Sequence, residues 1–293
     1  MMAEGALRDI RAGHPGAEIV VLTRPAYRRL LARCPWVDRV LVEPAGLRSR
    51  PGRLLAFWAA LRREGFARVY DLQNNRRTAF WRRFLLPGRP WSRLPALPPA
   101  ERAPERKPSI LERFAGQLAA AGLAVVHTPN PRPDWMAEPA GDVLAAAGLA
   151  GPYVLLIPGS SAKHPHKRWP HYGALATALA ARGYAVATAP GPDELDLCRA
   201  LPAHLLAEAD GRPLDWFRLA GVLQGAALVV GNDTGPLHLA VHLGRPTLAL
   251  FGAHTTPRRV GLPRPGVRVL GRPDLADLPP GEVLEAALEV LAR

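Results

Sequence analysis

Short apolar runs alternate with segments of helical periodicity along most of the chain, a pattern typical of βα units with a mainly parallel sheet. In the first half, the pattern predicts strands at 17–23, 37–42 and 67–71 and helices at 26–32, 54–64 and 75–86. In the second half, it predicts strands at 153–157, 184–189, 227–230 and 246–251, followed by a closing helix at 281–293. These elements indicate an α/β fold in both halves.

Two segments rich in helix- and strand-breaking residues interrupt this alternation. Residues 87–108 are rich in proline and arginine and are predicted to form a loop, and residues 128–133 mark a linker. We therefore expect two Rossmann-like domains, 1–135 and 136–293, with mainly parallel sheets that face a cleft. Ligands bind such sheets beyond the carboxyl ends of the strands, so the loops at those ends are the candidate site.

The composition indicates a globular protein with an excess of positive charge. With 293 residues and 48% hydrophobic side chains, the chain can bury a sizeable core, which argues against global disorder. Its net charge of +13 favours an anionic partner, such as phosphate, nucleic acid or an acidic membrane surface. The same charge also fits a solvated, arginine-rich surface, and it does not bear on the fold.

The cysteines and the N-terminus indicate a cytoplasmic setting. Cys34 and Cys198 are isolated, so neither a disulfide framework nor a CxxC metal pair is present in the sequence. Glu4, Arg8 and Asp9 interrupt the start of the chain, which does not resemble a signal peptide. No apolar stretch is long enough to span a bilayer.

A first candidate motif, PGSS at 158–161, follows the predicted strand 153–157, and its loop continues to KRWP at 167–170. Gly159 lets the backbone approach a ligand closely, and the hydroxyls of Ser160 and Ser161 can donate to phosphate oxygens. Lys167 supplies a positive charge for a diphosphate. The alternative is an ordinary strand-to-helix loop with surface cations, but the two strings together favour phosphate binding.

A second motif, GNDTGPLH at 231–238, follows the next predicted strand. Thr234 is a predicted N-cap, and the free N–H groups near Gly235 form an anion site at the helix N-terminus. Asp233 would repel an anion but can accept a hydrogen bond from a sugar hydroxyl, and His238 lies one turn into the helix. The alternative makes Asp233 a turn residue and His238 a core histidine.

A third motif, GPDE at 191–194, follows the predicted strand 184–189. Glu194 can accept from both hydroxyls of a ribose, as acidic residues do in other nucleotide-binding α/β units. It can equally be an acidic residue in a first helical turn that complements the helix dipole. The sequence leaves both interpretations open.

Together, PGSS…KRWP, GPDE and GNDTGPLHLA resemble glycosyltransferase family 9, the ADP-heptose:lipopolysaccharide heptosyltransferases and their relatives. The segments HPGAEIVVLTRP, CPWVDRV and DLQNNRRT extend the resemblance into the first half. It implies a GT-B type fold and an inverting, metal-independent glycosyltransferase that uses no cofactor. The enzyme would move a heptose or related sugar from an ADP-sugar to a lipopolysaccharide-core-like acceptor.

The resemblance also implies a role for individual residues. Lys167 would hold the donor diphosphate with Ser160 and Ser161 nearby, assisted by Thr234 and Gly235. Asp233 and His238 would lie beside the donor sugar, and Glu194 would bind the ribose. Arg76 and Arg77 would meet acidic groups of the acceptor. An anionic, lipid-linked acceptor further implies a cytoplasmic enzyme in peripheral contact with the inner membrane.

The chain departs from the family pattern at its start. Family members begin with a strand and a loop that carries a Gly-Asp pair, whereas Met1 of this chain already lies in the helix that follows them. The expected catalytic aspartate is therefore not assigned, since Asp9 lies too far along that helix. We expect an N-terminally shortened enzyme that turns over poorly, because loss of a positioned base typically costs about 10²–10⁴-fold in rate. Should the chain be fully active, Asp71 is the carboxylate to test as base.

Three other functions compete with this one. A nucleotide-sugar-binding protein without turnover would fit the missing loop. A sugar-nucleotide epimerase shares the two-domain fold, but the KRWP segment is not expected there. Nucleic-acid binding rests on charge alone, without a recognised motif, so we expect no nucleic-acid partner.

Overall fold

The computed structural model describes residues 2–47, 50–94, 98, 107–161 and 163–292. The chain divides into two compact units, Met2–Pro131 and Arg132–Arg293. We call them the N-terminal unit and the C-terminal unit. Both alternate strands with helices, as the hydrophobic pattern predicts.

In its described residues, the N-terminal unit starts with a helix and contains four short strands in two parallel pairs. Strand β1 pairs with β2, and β3 pairs with β4. The elements in chain order are α1 (Glu4–Gly13), β1 (Val20–Thr23), α2 (Arg28–Ala32), β2 (Arg39–Val42), α3 (Pro51–Arg63), β3 (Val69–Tyr70), α4 (Arg76–Phe80), a π-helical turn (Trp81–Leu85), β4 (Trp91–Ser92) and α5 (Ile110–Ala120).

Helix α1 is fixed by an apolar face and by one buried carboxylate. Ala6 and Ile10 pack with the α5 residues Phe114 and Leu118. Asp9 is buried and accepts hydrogen bonds from the three consecutive N–H groups of residues 126–128. Burial alone would raise the pKa of Asp9, but the hydrogen bond from the Thr128 hydroxyl and those from the backbone outweigh it and lower the pKa. Asp9 therefore holds the helix in place and has no oxygen directed to solvent for proton transfer.

The C-terminal unit is built on one six-stranded sheet in which every pair is parallel, in the order β10-β9-β8-β5-β6-β7. None of the described helices is long and apolar enough to cross a membrane. The elements in chain order are α6 (Gly141–Ala146), β5 (Tyr153–Ile157), α7 (Tyr172–Ala180), β6 (Ala185–Thr188), α8 (Leu195–Arg199), β7 (His204–Leu205), α9 (Trp216–Gly225), β8 (Ala226–Asn232), α10 (Gly235–His242), β9 (Thr247–Phe251), β10 (Val267–Gly271) and α11 (Pro280–Leu291).

The central strands of this sheet are buried on both faces, which explains their continuous apolar sequences. On one face, Val154, Leu156, Val230 and Leu248 pack against α7 and α11. Because the strands are parallel, β9, β8, β5 and β6 bring their carboxyl ends to one edge as direct neighbours. The loops after these four strands therefore lie side by side.

Some predicted boundaries are wrong. The helix predicted at 75–86 ends at Phe80 as α-helix and continues as the π-helical turn. The predicted loop 87–108 contains β4, and its residues 95–97 and 99–106 lie outside the described residues. The short strand β7 and the half-buried strand β10 were not predicted. Both strands lie at the edges of the sheet, where their side chains are only partly covered, so their apolar signal is weak.

Candidate functional site

Asp233 is the centre of the polar cluster at the carboxyl edge of the sheet. It follows β8 directly, and its side chain is only 6% exposed. Its Oδ1 accepts from His238 Nε2 at 2.9 Å, and its Oδ2 accepts from His254 Nε2 at 2.9 Å and Lys167 Nζ at 3.0 Å. Burial alone would raise the pKa of Asp233, but these three donors hold it well below its usual range. The carboxylate is therefore ionised throughout the physiological pH range.

His254, which lies in the loop after β9, was not among the residues predicted from the sequence. Its ring stacks on Phe251 with an interplanar angle of 8° and meets the ring of His166 edge-on at 5.8 Å. Its Nδ1 atom is buried without a hydrogen-bond partner among the described residues, as is Nδ1 of His238. Asp233 thus has a histidine on each oxygen. The rule that drew attention to the loops after β5 and β8 applies to β9 as well, and would have found His254.

Lys167 reaches the same carboxylate from the loop after β5. Its Nζ also donates to the backbone carbonyl of Asp233 at 3.3 Å, and its side chain is 20% exposed. From the sequence, Asp233 was expected to repel phosphate. Because the Lys167 ammonium compensates the charge of this carboxylate, that repulsion is reduced. A carboxylate offers about four lone-pair positions. The three donors of the protein leave one for a further hydroxyl.

The start of α10 lies directly beside this cluster. Thr234 is the N-cap residue in extended conformation, but its side chain makes no capping hydrogen bond. Its Oγ1 is buried without a partner among the described residues. The backbone N–H groups in the first turn of a helix have no intrahelical acceptor, which leaves those of Gly235 and Leu237 for a ligand. A Cβ on Gly235 would lie 2.9 Å from the indole of Trp216, so close packing requires glycine here.

The two serines after β5 have different surroundings. Ser160 is buried, donates from Oγ to the carbonyl of His164 at 2.8 Å, and accepts from Arg168 Nε at 3.2 Å. Its hydroxyl therefore stabilises the loop. Ser161 is exposed, and its Oγ accepts from the N–H of Lys163 at 3.4 Å, which leaves its hydroxyl proton free to donate. Of the two, Ser161 has the hydroxyl suited to phosphate.

Glu194 lies next to the loop after β5, although it belongs to the loop after β6. Its Oε2 accepts from the N–H of Gly191 at 2.8 Å. A Cβ on Gly159 would overlap the carboxyl group of Glu194. Because Gly159 has no side chain, the Glu194 carboxylate can lie against the backbone of the loop after β5.

Replacing Gly159 by alanine should weaken ADP binding about tenfold, because the new methyl group displaces the Glu194 carboxylate. Isothermal titration calorimetry with ADP measures the effect. The matched comparison is Glu194→Ala, alone and combined with Gly159→Ala. If both act through one carboxylate, the double variant should bind ADP no more weakly than Glu194→Ala. Additive losses would show that Gly159 acts independently of Glu194.

Asn232, the last residue of β8, connects the loops of this edge. It is fully buried, and its Nδ2 donates to the carbonyls of Pro158 at 2.9 Å and Gly159 at 3.2 Å. Its Oδ1 accepts from the N–H of Trp169 at 3.2 Å and the hydroxyl of Tyr172 at 3.1 Å. One side chain therefore ties the end of β8 to both ends of the loop that carries Lys167.

The two arginines predicted to bind an acceptor differ in how far other protein groups engage their guanidinium groups. Arg77 is mostly buried, pairs with Glu43 at 2.6 Å, donates to Gln73, and lies over the ring of Trp81. Arg76 is exposed, with no ion pair among the described residues. The guanidinium of Arg77 is thus engaged by protein groups, and Arg76 is the one available to an acceptor.

Comparison with known proteins gives a consistent result. The model of glycosyltransferase family 9 (heptosyltransferase) matches residues 100–275, more than half of the chain. Lipopolysaccharide heptosyltransferase 3 of Escherichia coli is 33% identical over 118 residues, which cover 36% of this chain and 33% of that protein. Lipooligosaccharide heptosyltransferase 2 of Haemophilus influenzae is 26% identical over 289 residues, covering 88% of this chain and 81% of that protein.

Among solved structures, E. coli heptosyltransferase WaaC with ADP superimposes with a TM-score of 0.70 at 21% identity, covering 99% of this chain and 95% of that one. This similarity concerns the fold, and it confirms the GT-B type α/β fold predicted from the sequence. The motif-based assignment is confirmed as well: this chain is a member of glycosyltransferase family 9, the heptosyltransferase family.

Proposed function

We propose that this protein transfers a heptose or a closely related sugar from an ADP-sugar to a lipopolysaccharide-core-like acceptor. The observation that carries the proposal is the cluster of Asp233, Lys167 and His238 beside the open N-terminus of α10. It combines donors for a diphosphate with an acceptor for a sugar hydroxyl. The similar E. coli enzyme, solved with ADP, supports an adenine nucleotide.

The donor diphosphate would lie between Lys167 and the first turn of α10. Lys167 and the N–H groups of Gly235 and Leu237 then face the phosphates, with the hydroxyls of Thr234 and Ser161 as further donors. The unpartnered Oγ1 of Thr234 supports this placement, because a buried hydroxyl without a partner is costly. The remaining acceptor position of Asp233 serves a donor-sugar hydroxyl, and Glu194 serves the ribose.

The proposed reaction is a single displacement with inversion and without a metal ion. An acceptor hydroxyl attacks the anomeric carbon, the bond to the ADP oxygen breaks, and the hydroxyl proton passes to a base. Lys167 and the N-terminus of α10 stabilise the negative charge that develops on the departing diphosphate. In this arrangement Asp233 orients Lys167 as well as the sugar. Arg76 would bind an acidic group of the acceptor.

Lys167→Ala should weaken ADP binding by about 1.5–3 kcal/mol, the usual scale for a hydrogen bond to a charged group. Calorimetry of both proteins with ADP measures this difference. Lys163→Ala is the matched control, since Lys163 is an exposed cation of the same loop without contact to Asp233. Equal ADP affinity of wild type and Lys167→Ala would exclude the diphosphate assignment.

Activity itself is tested by incubating the protein with ADP-heptose and a lipopolysaccharide-core acceptor, with mass detection of released ADP and of the glycosylated acceptor. Acceptor-dependent release of ADP supports transfer. Binding of ADP-heptose without release would favour a nucleotide-sugar-binding protein. Isomerisation of the sugar nucleotide with no glycosylated acceptor would favour an epimerase.

A further inference from the structure

The net charge of this chain is distributed very unevenly between its two units. Residues 2–131 contain 23 Lys and Arg against 10 Asp and Glu, whereas residues 132–293 contain 15 of each kind. The entire excess of +13 therefore belongs to the N-terminal unit. The proposed diphosphate site lies in the electrically balanced unit, so nucleotide binding does not account for this excess.

Within the N-terminal unit, the excess is concentrated in two stretches without any acidic residue. Residues 44–63 hold five arginines, and residues 72–100 hold six. The two stretches share one apolar core, in which Phe57 of α3 meets Trp81 edge-on with ring centroids 6.3 Å apart. The outer surfaces of α3 and of the segment that begins with the π-helical turn therefore adjoin and form one basic face. We define this basic face as the exposed and half-buried residues of α3 and of residues 82–90.

The acidic groups that the structure describes in this unit form no ion pair with the arginines of the basic face. Glu18 and Glu64 both pair with Arg39, and Asp38 pairs with Arg11. These carboxylates are engaged elsewhere in the unit. Among the described residues of the basic face, Arg63, Arg82, Arg83 and Arg89 have neither an ion pair nor a side-chain hydrogen bond, whereas Arg53 donates to the carbonyl of Ala45 and Arg62 lies over the ring of Trp58.

The elements that carry these arginines also expose two large apolar side chains. Leu55 on α3 is 61% exposed, and Phe84 on the π-helical turn is 59% exposed. Both are far more exposed than the neighbouring Phe57 and Leu61, which fill the core. Exposed arginines and exposed apolar side chains on the same elements match the boundary of an anionic bilayer, where phosphates meet acyl chains. An aliphatic Leu55 offers nothing to a stacked nucleic-acid base.

We infer that the basic face docks on the surface of an anionic lipid bilayer, with Leu55 and Phe84 inserted between the headgroups. The inference rests on the proposed function and deepens it, because it names the surface by which the enzyme meets a membrane that holds its acceptor. Docking requires only the lipid, and neither donor nor acceptor takes part.

The test is co-sedimentation of the full chain with vesicles that contain no glycolipid. Phosphatidylcholine vesicles with about 30% phosphatidylglycerol should bind the protein at about 0.1 M salt, pure phosphatidylcholine vesicles should not, and salt should weaken binding. Each arginine near a charged membrane contributes roughly fivefold in affinity. The quadruple variant R63Q/R82Q/R83Q/R89Q should therefore lose more than about a hundredfold.

A control variant that loses the same number of charges in the C-terminal unit separates the effect of the basic face from that of the net charge of the protein. R182Q/R199Q/R212Q/R259Q removes four exposed arginines of the C-terminal unit and should leave vesicle binding almost unchanged. Leu55→Ser with Phe84→Ser should reduce binding about tenfold even where salt screens the arginines. The apolar contribution is thereby measured separately from the charge.

Two outcomes would overturn the inference. One is equal vesicle affinity of the two quadruple variants. The other is binding of the wild type to a duplex oligonucleotide but not to anionic vesicles. Calorimetry with ADP on R63Q/R82Q/R83Q/R89Q should give the wild-type affinity. A chain that binds vesicles but not ADP would contradict the proposed function and leave the docking surface intact.

Discussion

Asp233→Asn is expected to lower the free energy of unfolding by about 3 kcal/mol, the scale for breaking a buried ionic cluster by removing one partner. An amide can accept only through its single oxygen, and its NH₂ group would face the donors of His254 and Lys167 or of His238. Urea denaturation measures the difference. Asp196→Asn is the control, because Asp196 is fully exposed and its change should stay within about 0.5 kcal/mol.

The same variant tests the ligand assignment. Asp233→Asn should weaken binding of the intact ADP-sugar more than binding of ADP, because only the sugar provides a hydroxyl for the remaining acceptor position. Calorimetry with both ligands compares the two losses. Equal losses would leave Asp233 with the single task of holding Lys167 and the two histidines. An unfolding free energy identical to that of the wild type would contradict the cluster itself.

His242 should make this protein markedly less stable in mild acid. Burial, together with nearby Arg264, lowers the pKa of His242 from 6.5 to about 3. Between these pH values the unfolded chain binds a proton that the folded chain does not. The stability contribution of the neutral ring is therefore complete above pH 6.5 and is lost as pH falls towards 3, by up to about 1.4 kcal/mol per pH unit.

The check is the unfolding free energy of wild type and His242→Asn over this pH range. Asparagine does not titrate, and its amide oxygen can accept from Arg264 in place of Nδ1, which lies 3.0 Å from Arg264 Nη1. The variant should show a flatter dependence on pH. His204→Asn changes an exposed histidine and should follow the wild type. Parallel curves for wild type and His242→Asn would show that the buried ring does not govern acid stability.

The sequence predicts those parts of the fold that rest on local apolar pattern. Strand β5 was predicted with its observed bounds, because all five side chains from Tyr153 to Ile157 are buried and apolar. Strand β10 was missed, since its half-buried residues include Arg268 and resemble a loop. The order of the strands follows from pairings between distant segments, and no local pattern reveals it.

The sequence predicts which loops carry the candidate site, but not which of their side chains are in contact. Spacing and strand ends drew attention to Lys167, Asp233 and His238, and the structure brings these three together. The sequence could not show that Lys167 and Asp233 pair, since 66 residues separate them. Nor could it show that the hydroxyl of Ser160 is used by its own loop, because that depends on Arg168 folding back. The ligand roles of these residues stay predictions.

The four hydrogen bonds of Asn232 have a consequence for the thermodynamics of ligand binding. A loop that is mobile in the free protein must lose conformational entropy when a ligand fixes it, and affinity falls by that amount. Here the ends of the loop that carries Lys167 are already fixed by a buried amide. The entropy loss is incurred during folding and is absent from the binding equilibrium. Donor binding should therefore be accompanied by little ordering at the two ends of this loop, and the backbone amide of Trp169 should exchange with solvent slowly even before the nucleotide arrives.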